Sequence, residues 1–224
     1  MNFLAHYYCL TEKENQYKIL GCLLPDIIPY FSKLYNQKIR HESLTDLEQF
    51  LLEIEKGILL HIEMDEIFHG LEVFKQMCSD VKQLIQAENI DTERKEFVIA
   101  HVLVELLLDR LLIEEKKVFI ADFYAKIGKV DSVILDNYVK KRALVEDSQS
   151  IIRKFKSFLD GKYALALESD EGIAFALQQI LGNRIGQHIF ADKEKWQIIV
   201  KNAFATQKDK MMLLVDGVNK ELTK

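Results

Sequence analysis

His101, Glu105 and Asp109 recur every four residues in FVIAHVLVELLLDRLLI (residues 97–113), and His61, Asp65 and His69 do the same in GILLHIEMDEIFHG (residues 57–70). On an α-helix, residues four apart lie above one another on one face. Both stripes run through apolar segments, where a buried carboxylate costs several kcal/mol unless a cation meets it. Two such stripes facing each other make a cage of imidazole and carboxylate donors, which suits Zn2+, Mn2+ or Fe2+ better than Ca2+. With 6 His and 35 Asp+Glu in 224 residues, roughly one such triple arises by chance, so the spacing alone decides nothing. The apolar setting, and the presence of three of the six histidines in the two stripes, give it weight. The other use of the same pattern is a buried ion-pair and hydrogen-bond network with no ion. His6 in FLAH and Asp26 in LLPDII are lone ionisable residues in apolar segments, and each adds a donor from outside the two helices.

The candidate metal ligands are thus His6, Asp26, His61, Asp65, Glu105 and Asp109. His69 and His101 serve either as further ligands or as groups that orient the ligands and give a proton to a leaving oxygen.

Helices must hold these donors. Asn2 caps a first helix reaching Leu10, and residues 17–35 form a second apolar stretch in which Pro25 and Asp26 break the helix or begin a turn. Thr45 and Glu48 form a capping box before a long helix that tolerates Gly57 and ends or kinks at Gly70. Helical spacing returns over 71–87, then from a cap at Asp91 or Thr92 to about 116, and again over 118–127, 132–145, 148–159, 170–189 and 192 to about 220. The chain therefore reads as an all-α, single-domain helical bundle over residues 1–224, the metal-site half in about 1–116 and further helices in about 117–224. No internal repeat or Pro/Ser-rich linker marks a boundary.

Composition excludes several classes. Nine Gly and two Pro are too few turn makers for a sandwich or barrel of many short strands. A net charge of −5 argues against a general nucleic-acid binder. Cys9, Cys22 and Cys78 are odd in number and match no CxxC spacing, so they read as reduced thiols of a cytoplasmic protein. MNFLAHYYCL has no basic n-region and is followed by polar TEKENQ, so no export signal is expected and the mature chain is expected to start at Met1. His101, Glu105, Asp109 and Arg110 interrupt the most apolar run, which argues against membrane insertion.

MNFLAH, GCLLPDII, GILLHIEMDEIFH and VELLLDRLL, in this order over about the first 115 residues, resemble segments of the acyl carrier protein phosphodiesterases. These are helical metal-dependent enzymes related to the HD-domain phosphohydrolases. The resemblance implies an HD-like architecture, Mn2+ as the metal with Fe2+, Zn2+ or Mg2+ as substitutes, and hydrolysis of the phosphodiester that joins 4′-phosphopantetheine to a serine of acyl carrier protein, or of a related phosphoester. It places the family's functional residues on His6, Asp26, His61, Asp65 and Asp109, with Glu105 where the family has Asp. Ile62 stands where the family has an Arg, His69 where it has an Asp and Arg110 where it has a His, while His101 is an added donor. Loss of that Arg removes a phosphate contact. The rest of the chain shows generic helical similarity only.

Residues 140–162 carry seven basic side chains (Lys140, Lys141, Arg142, Arg153, Lys154, Lys156, Lys162) against Glu146, Asp147 and Asp160. Such a stretch docks an acidic carrier protein, or is the solvated face of amphipathic helices. Arg184, between Gly182 and Gly186, is either a replacement phosphate contact or the last basic residue of a helix. His188 and His41 read as structural or solvated, and Trp196 as a core anchor. Two rivals to a phosphodiesterase remain: a di-iron-type oxygen-using bundle, whose sites ordinarily pair two Glu-x-x-His motifs, and an inactive binding protein on the same scaffold.

Overall fold

In the computed structural model, the helical period of the sequence becomes α-helix throughout the described residues, which are 1–11, 13–27, 49–141 and 148–223. The Thr45–Glu48 capping box, His41, Arg142 and the end of the second apolar stretch lie outside them. In chain order the helices are α1 (Phe3–Cys9), α2 (Gln16–Ile27), α3 (Gln49–Gly70), α4 (Glu72–Ala87), α5 (Glu96–Glu114), α6 (Ile120–Ile127), α7 (Ser132–Lys141), α8 (Ser148–Gly161), α9 (Asp170–Ile185) and α10 (Lys193–Leu222). Two 3-10 segments, Tyr163–Glu168 and Gln187–Phe190, flank α9. The described residues contain no strand, and the fold is all-α. None of these helices is long and apolar enough to cross a membrane.

The chain forms two compact units, each built from separated stretches: residues 1–5, 65–118 and 163–224 make the first, residues 6–64 and 119–162 the second.

In the second unit, Asn15 caps α2, its Oδ1 accepting from the amides of Tyr17 (3.1 Å) and Lys18 (3.2 Å). Contrary to the expected break, α2 runs through Pro25 to Ile27. A proline this close to a helix end removes one backbone bond and leaves the preceding turns intact. Gly57, which the sequence only tolerates, has a positive use: a Cβ there would stand 2.2 Å from the Lys18 carbonyl, and one on Gly21 would stand 2.0 Å from that of Ile54. The two glycines let α2 and α3 touch backbone to backbone. Within this contact the Tyr138 hydroxyl donates to buried Glu55 at 2.7 Å.

In the first unit, α5 is the central helix, packed against α4, α9 and α10, with Leu103, Leu107 and Leu111 among its buried residues. It starts at Glu96 rather than at the expected Asp91 or Thr92, because Glu93 and Arg94 take left-handed φ values of 51° and 65° that no helix continues through. Its first turn is not core either, since Phe97 is 57% exposed. The segment expected as one helix over 170–189 is divided by Gly186 at φ 117°, which ends α9. Trp196 anchors α10 as expected, fully buried with its indole N–H on the Ile189 carbonyl at 2.8 Å.

Candidate metal centre

In the second unit, α1 contributes His6, α2 contributes Asp26 and α3 contributes His61. Both imidazoles are buried, and their rings stack at 3.9 Å with 22° between planes. His6 Nε2 lies 3.8 Å from Asp26 Oδ2, and His61 Nε2 lies 4.0 Å from Asp26 Oδ1. Those separations are too long for hydrogen bonds. The other ring nitrogen of His61, Nδ1, is 2.8 Å from the Cys22 carbonyl. A carbonyl only accepts, so Nδ1 carries a proton and Nε2 is the ring atom that faces the carboxylate. Two donors about 2.0–2.2 Å from one tetrahedral ion are roughly 3.3–3.6 Å apart; both separations here are longer and run to different oxygens of Asp26, while two imidazoles and a carboxylate are a divalent-metal donor set. The residues fit a divalent metal.

In the first unit only part of the two stripes comes together, His61 belonging to the second unit and Asp109 turning to the backbone. Asp65 and His69 on α3 meet His101 and Glu105 on α5. His69 Nε2 is 3.1 Å and His101 Nε2 3.2 Å from the same atom, Glu105 Oε1, and the two rings lie 4.8 Å apart. The amino group of Met1, which the spacing of the stripes could not reveal, sits 2.6 Å from Asp65 Oδ1 and 3.3 Å from Glu105 Oε1. Burial disfavours the charged form of Glu105, but the Met1 ammonium and the two imidazoles outweigh it and hold the carboxyl well below its ordinary range.

Asp109, the last residue of the α5 stripe, is fully buried and turned to another purpose. Its Oδ1 accepts from the Ala5 amide at 2.8 Å, and its Oδ2 from the Leu4 amide at 3.1 Å and the Asn2 side chain at 2.9 Å. Asn2, the expected cap of α1, therefore donates to Asp109, and Asp109 itself closes the first amides of that helix. Burial pushes its carboxyl up to about 7, against the lowering effect of the Leu4 and Ala5 amides.

Three further features escaped the sequence. Phe74, five residues beyond His69, sets its ring 5.1 Å from His69 and 5.0 Å from His101. The Cys22 carbonyl is backbone and has no signature. A Glu-x-x-His spacing does occur, from Glu66 to His69, but Glu66 is exposed while His69 turns to Glu105. A second such motif, which a di-iron site would need, is missing from the sequence.

Outside these clusters, Arg153, Lys154 and Lys156 are exposed on α8 opposite buried Ile152, Phe155 and Phe158, and Lys140 pairs with Asp136 at 2.6 Å. Arg184 is exposed in the last turn of α9. His188 is solvated as expected, its Nε2 3.0 Å from Glu93 Oε1. No family model, curated protein or solved structure matches the chain.

Proposed function

We propose that the protein is a metal-dependent phosphodiester hydrolase, with His6, Asp26 and His61 as its metal ligands. One observation carries this reading: His61 gives its Nδ1 proton to the Cys22 carbonyl and turns Nε2 toward Asp26, the arrangement by which a ligating histidine is usually oriented. A bound divalent ion supplies Lewis-acid polarisation of a phosphoryl oxygen and lowers the pKa of a coordinated water. The chain's own residues do the rest. The Cys22 carbonyl keeps a proton on His61 Nδ1, the stacked and buried His6 ring fixes the plane of His61, and Asp26, partly open to solvent, offers the negative charge that draws the ion in.

The resemblance to acyl carrier protein phosphodiesterases supports the serine-linked 4′-phosphopantetheine diester as substrate. Water oxygen bonds to phosphorus, the bond from phosphorus to the serine oxygen breaks, and that oxygen leaves with a proton. The exposed basic face of α8 lies in the same unit as the three ligands and suits an acidic carrier protein. In this reading Asp65, Glu105 and Asp109 hold residues 1–5 in place.

Incubation of holo-acyl carrier protein with the protein and Mn2+, followed by mass spectrometry, should show loss of phosphopantetheine. Asp26→Asn and His61→Ala should each abolish it. Binding of Mn2+ with no turnover of the carrier or of a small phosphodiester would replace the hydrolase with an inactive binding protein, the reading that Ile62 in the place of the Arg favours.

A further inference from the structure

The first unit holds a cluster whose two histidines this reading leaves unused. His69 and His101 project from α3 and α5 onto one carboxylate oxygen, at 3.1 and 3.2 Å. Each imidazole is about a third exposed, at 34% and 33%, while Glu105 is 15% exposed. The cluster therefore has a sunken carboxylate floor, two imidazole walls and an open top. One ligand atom from each of the three residues lies within 4.8 Å of the others.

We propose that His69, His101 and Glu105 bind a borderline divalent ion, Zn2+, at a site of their own, separate from that of His6, Asp26 and His61. Three features select this class of ion. Two imidazoles and one carboxylate are a zinc donor set, with the fourth position left to water. The nitrogen-to-oxygen separations are close to the roughly 3.3 Å expected between two donors about 2.0 Å from a tetrahedral ion, so little movement is needed. The third feature is charge: the Met1 ammonium, 2.6 Å from Asp65 and 3.3 Å from Glu105, already meets part of the negative charge. Each Nε2 now donates a proton to Glu105 Oε1; Zn2+ takes the place of those protons, each ring keeping a proton on Nδ1, and imidazole nitrogen binds Zn2+ well and Mg2+ poorly.

The rings are held ready for this. Phe74 stands perpendicular to His101 and at 62° to His69, and the Phe68 ring lies 5.4 Å from that of His69, centre to centre, at 76°. Aromatic edges on both imidazoles restrict their rotation, so less order has to be imposed when an ion arrives. Two loosely solvated surface histidines would have no such frame.

The full-length protein tests this without any variant. Diethylpyrocarbonate modifies accessible imidazoles, and His188, 65% exposed and outside the cluster, serves as internal reference. Stoichiometric Zn2+ should protect His69 and His101, read by peptide mass spectrometry, while His188 goes on reacting; the same concentration of Mg2+ should protect none of them. In parallel, a His6→Ala/His61→Ala variant should retain one equivalent of Zn2+ by calorimetry. Adding His69→Gln and His101→Gln to it should lower that affinity at least about 100-fold, with a cooperative melt as the control for folding. Zn2+ that leaves His69 and His101 as reactive as His188 overturns the proposal. Affinity that stays within about threefold in the folded quadruple variant does the same.

Discussion

Asp109 shows how one residue type in one spacing serves two ends. It was legible as a buried carboxylate in need of cations or donors, but its partners are backbone amides of Leu4 and Ala5, which no spacing rule can point to. Asp109→Asn would turn an amino group toward one of those donors, at a cost of about 1–3 kcal/mol, measurable by urea denaturation. The residue also gives stability a pH dependence. Its folded carboxyl, raised to about 7 from an ordinary 3.8, keeps a proton that the unfolded chain releases, so its contribution is full below 3.8 and is lost as pH rises through 7. The wild type should thus lose more stability than Asp109→Asn between pH 4 and pH 8, compared by urea midpoints. The thiols follow the same sign at higher pH: burial pushes Cys9 and Cys78 up to about 12. Both should resist iodoacetamide in the native protein at pH 8 and react at once in urea.

At the scale of elements, helix identity was readable and helix ends were less so. The apolar period sets which segments coil, and it marked α4, α6 and α10 nearly to their ends. It carries no information on a left-handed backbone at Glu93 and Arg94, nor on a proline placed late enough in α2 to be harmless. Gly57 is the instructive position. Its sequence context shows only a helix weakened by a glycine, whereas the contact with Lys18 makes the missing side chain a packing requirement. Gly57→Ala should therefore destabilise by at least about 2 kcal/mol. Gly70→Ala, with nothing within 4 Å of the new methyl group, should be neutral or stabilise by a few tenths. Thermal melts of the two variants, at opposite ends of the comparison within α3, check both.

Over the whole molecule, ion binding and folding are linked. An ion that binds the folded chain alone stabilises it by about 2.7 kcal/mol at a hundredfold excess over its Kd, or roughly 5–10 °C for a chain of this size. Mn2+ should raise the melting temperature and a chelator should reverse the rise, and His6→Ala/His61→Ala should lose the Mn2+ response; a wild-type melt indifferent to Mn2+ would favour an ion-free network. The composition had already excluded sandwiches and barrels, yet it could not show that the two units take their residues alternately along the chain, because periodicity reports on neighbours in sequence. That interleaving bears on how the protein is made. A ribosome makes residues 1–5 well before α10, although both belong to one unit. While residues 119–162 are being synthesised, α9 and α10 do not yet exist, and the face of α5 that they will cover still lacks its partners. The second unit has all its residues once position 162 is out, whereas the first must wait for α9 and α10, and a nascent chain stalled before α10 would present that face to chaperones and proteases.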